Sequence, residues 1–363
     1  MKEKERTFDD ILEELQQYFY QAGDEDFSKP IKNILEQNDD IKPQKYIITL
    51  LNFLENIIPE NVRENFYRNL RTLLIELNFD YDFSNVDENA NETLVESLRY
   101  YPTNELIVNP VYLKIIITAI QRIGCSIKIL TTELKKGILH ELCHMASSYY
   151  DEEKKIYFSG FSANLFENNE RSSRALTEGM TEVIAWEGIT DAIKTSSGYY
   201  VESLFVMQLM QIVGKKLMLE SYFGNKGTIE IEKELDKFSY GILQSDILLS
   251  NIEENFLKYK TRNKEKQTLL ASIQITLIEY YRNKMLYLIE NKLITKEAVE
   301  ESLVVYEDSL IRPETDNIEI FVGLDESIER FNSVKQEMID MLSDNYTTNG
   351  EKKYTKKRIP PKK

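Results

Sequence analysis

The chain has 363 residues, 42% of them hydrophobic, enough to bury a sizeable core and to form two or three packed subdomains. Its 61 acidic residues against 45 lysines and arginines give a formal charge of −16. That charge argues against a general nucleic-acid binder, because affinity for phosphate needs clustered positive charge, and it would repel acidic partners at long range, which favours neutral or basic ones. Two cysteines make no disulfide framework, the mixed-charge opening MKEKERT leads into no apolar stretch of a signal peptide, and no run approaches the length of a membrane span. Together these features lead us to expect a cytoplasmic location.

In chain order, residues 8–20, 44–58 and 61–77 carry apolar side chains at three- and four-residue spacing and are expected to be helices. The polar stretch 80–91 marks a boundary or surface loop, which makes 1–91 an N-terminal helical region. At 100–109 the sequence YYPTNELIVN couples a Pro-Thr-Asn turn signal to a short apolar run, Glu105, Leu106, Ile107 and Val108, expected to be a strand. Asn109 and Pro110 then suit the cap and first residue of a helix over 111–123.

The only two histidines in the chain fall together in the next segment, as His140-Glu141-Leu142-Cys143-His144. Residues 133–149 hold no proline, and Leu134, Ile138, Leu142, Met145 and Tyr149 recur at helical spacing, with Gly137 the one weak point. On a helix, residues i and i+4 share a face, so both imidazoles can reach one metal ion. Glu141 points about 100° further round, where it can address a metal-bound water instead of the metal. This HExxH layout suits a zinc hydrolase. Two buried histidines could instead be satisfied core residues, or hold a closed structural zinc. Closed sites usually recruit thiolates, however, and Cys143 is offset from both histidines while Cys125 is the only other thiol.

A catalytic zinc takes three protein ligands and a water, so with no third histidine the remaining ligand should be a carboxylate. The metzincin arrangement places a glycine three residues and a ligand six residues after the second histidine. Here those positions are Ser147 and Tyr150, and Asp151 comes one residue late. A better segment is 175–186, ALTEGMTEVIAW, a predicted helix after a loop rich in Asn, Ser and Arg, with Glu178 and Glu182 four apart on one face. Most glutamate pairs at that spacing are simply the solvated stripe of an amphipathic helix, and that alternative stands beside the metal-binding one.

HELCH followed by TEGMTE resembles the gluzincin metallopeptidases, whose second motif is a glutamate with an acidic residue four positions on. It is especially similar to bacterial branches in which that motif reads roughly NEGLTE. The resemblance implies an α+β, predominantly helical fold with a zincin-like catalytic core, a small sheet and an active-site helix carrying HExxH. It implies one Zn2+ per chain, held by His140, His144 and Glu178, with Glu182 accepting the ring N–H of a zinc-bound histidine. Gly179 would let the two helices approach closely. Thr177 stands where the family has Asn, a departure that concerns local hydrogen bonding. Gluzincins often bind extended substrate along a strand near the active-site helix, and Glu105–Val108 is the candidate edge, an ordinary core strand being the alternative. They also supply a Tyr, His or Arg to stabilise the oxyanion. With both histidines assigned, Tyr199 and Tyr200 are the nearest downstream phenols after Ser196-Ser197-Gly198, ahead of Tyr157, Arg171 and Arg174.

Beyond Glu202 the pattern is again helical, over 204–222, 229–249, 267–290, 296–310 and 318–342. These would form a C-terminal bundle, 201–345, packed against a catalytic core, 92–200, with the active site in the cleft between them. The basic tail 346–363 suits a disordered, solubilising end. The expected function is zinc-dependent hydrolysis of a peptide or protein substrate, with Glu141 as proton acceptor from a zinc-activated water. The alternatives are a zinc hydrolase of small amides and a non-catalytic zinc-binding scaffold, which would have no need of Glu141.

Overall fold

Helices dominate the structure, a computed structural model that describes residues 44–77, 98–101, 104–108, 127–165, 171–189, 199–258, 264–312 and 323–347. The expected helices 8–20 and 111–123, the stretch 80–91 and the tail from 348 onward lie outside the described residues. The first described helix, α1 (Gln44–Ile57), buries Ile47, Leu50, Leu51 and Leu54, the stripe its spacing predicts. The expected helix 61–77 is shorter. After a 3-10 turn, α2 (Arg63–Thr72) stops at Leu73, whose ψ of 121° is extended, and the chain enters β1 (Leu74–Leu77). Pairing with a distant strand outweighs the helical period of these last residues.

That partner is β3 (Glu105–Val108), parallel to β1 in register Leu74 to Glu105. On its other side β3 pairs antiparallel with β2 (Leu98–Tyr101), giving the order β1-β3-β2. Glu105, Leu106, Ile107 and Val108 are therefore bonded along both edges, and Leu106 is fully buried. The strand offers no free edge to a substrate, which corrects the expectation and leaves it as a core strand. Of the Pro-Thr-Asn signal, only Asn104 falls within the described residues. Asn104 takes a left-handed φ of 64° and donates its amide to the Asn69 carbonyl at 2.7 Å and Thr72 Oγ1 at 2.6 Å.

The helix α3 (Ile127–Ser147) carries the histidine motif and buries Leu134, Ile138, Leu139, Leu142, Cys143, Met145 and Ala146. Its final carbonyls would lack partners in the helix. Asn69 supplies one, donating to the carbonyls of Met145 and Ser148, each at 2.7 Å. An antiparallel meander follows: β4 (Ser148–Asp151), β5 (Ile156–Ser159), β6 (Ser162–Leu165) and β7 (Arg171–Ser172). Then α4 (Arg174–Glu187) is buried without interruption from Ala175 to Ala185. A helix buried all round has no solvated stripe, so Glu178 and Glu182 are interior carboxylates.

Two expected long helices are each broken. Gly214, at φ 94°, separates α5 (Tyr200–Val213) from α6 (Lys215–Phe223). A turn through Tyr240 and Gly241, both at positive φ, separates α7 (Ile229–Asp236) from α8 (Ser245–Lys258). The chain closes with α9 (Lys264–Glu290), α10 (Lys296–Asp308) and α11 (Leu324–Thr347). Buried Gln274 ties these together: its Oε1 accepts from the Ile311 N–H at 2.7 Å and its Nε2 donates to Ser327 Oγ at 2.7 Å. One apolar core extends from Tyr46 to Leu342, and the expected division at 200/201 falls within the first turn of α5, inside that core. No described helix is long and apolar enough to cross a membrane.

Candidate metal centre

Two ladders of side chains face each other where α3 meets α4. Lys136, His140 and His144 climb α3 at four-residue steps, and Glu178, Glu182 and Trp186 climb α4. They run in opposite directions. His144 Nε2 lies 3.4 Å from Glu178 Oε2, His140 touches both glutamates, and Lys136 reaches Glu182 and the Trp186 ring. Helix packing of this kind explains why two sequence motifs far apart in the chain make one site.

His140, His144 and Glu178 converge on a single point. Their inner atoms form a nearly equilateral triangle: His140 Nε2 to His144 Nε2 is 3.3 Å, His140 Nε2 to Glu178 Oε2 3.3 Å, and His144 Nε2 to Glu178 Oε2 3.4 Å. Ligands of a tetrahedral ion bound at about 2.0–2.1 Å stand roughly 3.3–3.4 Å apart, so the triangle has the size one such ion requires. Glu178 Oε2 is buried, and the imidazole nitrogens that meet it lie at 3.3 and 3.4 Å, the long end of hydrogen bonding, so a cation between the three atoms would satisfy it better.

The outer ring nitrogens are occupied. His140 Nδ1 lies 3.2 Å from Glu182 Oε2, and since a carboxylate can only accept, Nδ1 carries a hydrogen, which leaves Nε2 as the nitrogen that would give up its proton to meet a metal. His144 Nδ1 pairs with Ser159 Oγ at 3.3 Å, with the same consequence when the hydroxyl accepts. Burial opposes charge on His140, yet hydrogen bonds to Glu178 and Glu182 outweigh it and lift its pKa to about 10. Burial also opposes ionisation of the two glutamates. The charge of His144 and the bonds to both histidines nevertheless hold Glu178 well below the usual carboxylate range, and His140 with Lys136 brings Glu182 down to about 2. The pocket thus holds buried carboxylates whose charge the Lys136 ammonium and either a proton on His140 or a bound cation would balance.

The remaining expected residues sort by position. Glu141 is half-buried beside this group, outside the converging triad, and its charge acts on His140 and on Tyr199. The Tyr199 ring stacks on His140, with centroids 5.7 Å apart and planes at 11°. Burial and then the charge of Glu178 push its phenol up, so it keeps its proton and remains a donor. Tyr200 instead meets Trp186, at the far end of the ladder from Glu178. Tyr157 pairs its hydroxyl with Ser148 Oγ at 2.7 Å and so braces the end of α3. Arg174 approaches Glu178 Oε1 at 3.7 Å and lies over the Phe256 ring, while the Arg171 side chain lies outside the described set. The sheet strand Glu105–Val108 belongs to the core and not to this group.

Two residues that the sequence did not single out complete the surroundings. Ser159 holds His144, and Lys136 holds Glu182. Lys136 left a readable trace, since it precedes His140 by one helical step. Ser159 left none, because only the fold of the β5 hairpin brings it to the histidine. Ser147, at the metzincin glycine position, accepts the Gly160 N–H at 3.1 Å and so fastens α3 to the turn after β5. Thr177 proves no defect in the second motif: its Oγ1 accepts the Phe161 N–H at 3.1 Å and bonds the Ser173 carbonyl at 3.0 Å, knitting that turn to α4 just before Glu178. Cys143 is fully buried, where burial pushes its thiol up and keeps it inert. In comparisons with known proteins, the chain matches no family model, no curated protein and no solved structure, so the chemistry assigned to this centre rests on its own residues and their geometry.

Proposed function

We propose that the protein is a zinc-dependent metallopeptidase of gluzincin type. The observation that carries the proposal is the triangle of His140 Nε2, His144 Nε2 and Glu178 Oε2, with edges of 3.3 to 3.4 Å. Two imidazoles and a glutamate make a ligand set used by catalytic zinc, with a fourth position left for water or substrate. Zinc, when bound, supplies Lewis acidity that lowers the pKa of water and polarises a carbonyl.

The chain's own groups would do the rest. Glu141 accepts the proton of the attacking water and returns it to the leaving amine. Tyr199, the protonated phenol stacked on His140, donates to the oxygen on which charge develops. The candidate edge for an extended peptide becomes β2 (Leu98–Tyr101), which is antiparallel to β3, packs against α3 and, among the described residues, is paired on one side only.

Glu141 separates an enzyme from a scaffold. Glu141→Gln keeps the shape of the side chain but cannot take a proton from water at neutral pH, so zinc content should stay at the wild-type level while peptide cleavage falls about 10²–10⁴-fold. The assay sets a broad peptide library against wild type, Glu141→Gln and chelator-treated protein, with zinc measured in parallel. Undiminished cleavage by the zinc-loaded variant would remove Glu141 from its role. Zinc-loaded wild type that cuts small acyl amides but no peptide would move the assignment to an amide hydrolase, and inactivity on both would make the protein a zinc-binding scaffold.

A further inference from the structure

The ladder on α3 has one rung more than a three-ligand centre needs. Lys136, one helical step before His140, is a buried lysine, its side chain only 8% exposed, with Nζ 2.6 Å from Glu182 Oε1. Burial of an ammonium is costly without a partner, and Glu182 is equally buried, its side chain 5% exposed. The two oxygens of Glu182 are divided between two neighbours: Oε1 faces Lys136, and Oε2 faces His140 Nδ1 at 3.2 Å. Lys136 Nζ also lies 5.6 Å from the centre of the Trp186 ring, on the side of the ladder away from the triad. A carboxylate held at one oxygen alone could swing about its Cγ–Cδ bond. Held at both, it has one orientation, and that orientation sets the plane of the His140 ring and aims Nε2 at the point where the three ligand atoms converge.

We propose that Lys136 is a positioning residue of the metal centre: it fixes the Glu182 carboxylate, which in turn orients His140 for the metal. This rests on the metal reading above and extends it by one layer, through the sequence Lys136, Glu182, His140. Such outer partners usually change metal affinity by about 10–100-fold when removed.

The test is a double-mutant cycle read in zinc affinity, with Lys136→Met, which keeps the length of the stem without the charge, and Glu182→Gln. Zinc dissociation constants come from competition with a chromogenic chelator. Lys136→Met alone should bind zinc about tenfold more weakly than wild type and should shift the visible absorption of the cobalt(II)-substituted protein, which reports the geometry of the ligands. Glu182→Gln with Lys136→Met should bind zinc no more than about twofold more weakly than Glu182→Gln alone, because lysine acts only through the carboxylate. That pair leaves no uncompensated buried charge, so the comparison survives even where Lys136→Met by itself fails to fold. Wild-type zinc affinity in Lys136→Met, or a further tenfold loss on adding it to Glu182→Gln, would overturn the role of Lys136 while leaving the triad intact. Wild type that takes up no zinc would overturn the metal reading and this extension with it.

Discussion

At the scale of single residues, the centre is a contest between a proton and a metal. The metal-free site holds His140 at a pKa of about 10, lifted from 6.5 by two buried carboxylates. Zinc needs the neutral ring, so at neutral pH its binding must expel a proton. Calorimetric titration at pH 7.4 in buffers of different ionisation enthalpy should show close to one proton released per zinc, and affinity that rises with pH. No released proton would contradict the assigned surroundings of His140. The same shift governs stability without metal. A raised histidine pKa stabilises the fold below its ordinary value of 6.5 and ceases to do so as pH rises toward 10; the lowered Glu178 and Glu182 stabilise above their ordinary 4.5 and fail as pH falls toward 2. Chelated protein should therefore lose thermal stability from pH 7 to pH 10, and the zinc form should lose less.

The residues of the triad were legible in the sequence because a metal site demands particular side chains at particular helical steps. Ser159 and Thr177 were not, since their roles arise from hydrogen bonds across a hairpin whose approach to the helices no local pattern encodes. Nor was the choice between neighbouring phenols. Tyr199 and Tyr200 are adjacent in sequence, and it is the direction in which α5 begins that sends one to His140 and the other to Trp186.

At the scale of elements, helical periodicity located most of the helices but could not see what interrupts them. Gly214 reads as a weak helical residue in sequence, whereas its φ of 94° ends one helix and starts another. Leu74–Leu77 carries a helical period yet becomes a strand because β3 is available beside it, and that same pairing takes from β3 the free edge expected of it. Gly179 shows a subtler miss. It does permit a close approach, but to α5: a Cβ there would stand 2.5 Å from the Glu202 carbonyl oxygen, a backbone atom that cannot turn aside. Gly179→Ala should therefore destabilise the protein by about 1–3 kcal/mol through overpacking and, by pushing α4 off α5, weaken zinc binding through the adjacent Glu178. Chemical denaturation with and without zinc measures both effects, and an unchanged midpoint would show that α5 yields freely.

At the scale of the whole molecule, the expected halves merge. The apolar core that begins in α1 continues into α11, and the centre lies within it, between α3 and α4. Carboxylates and a lysine buried in such a core are expensive, and the surrounding helices supply the apolar packing that offsets the cost. It follows that a metal bound by the native state alone should stabilise the entire fold, by about 2.7 kcal/mol at a free zinc concentration one hundred times the dissociation constant. Thermal unfolding followed by one probe in α3 and another in α11 should shift upward together on adding zinc. A shift confined to one probe would contradict a single continuous core.

The proposed function stands on three side chains, His140, His144 and Glu178, holding one zinc. It is tested most directly by metal analysis of purified, zinc-reconstituted protein after removal of loose metal, with wild type beside His140→Ala, His144→Ala and Glu178→Ala. Wild type should hold about one zinc per chain and each variant should lose most of it, since two ligands hold the ion far more weakly than three. Wild type that retains no zinc, or Glu178→Ala that retains a full equivalent, would contradict it.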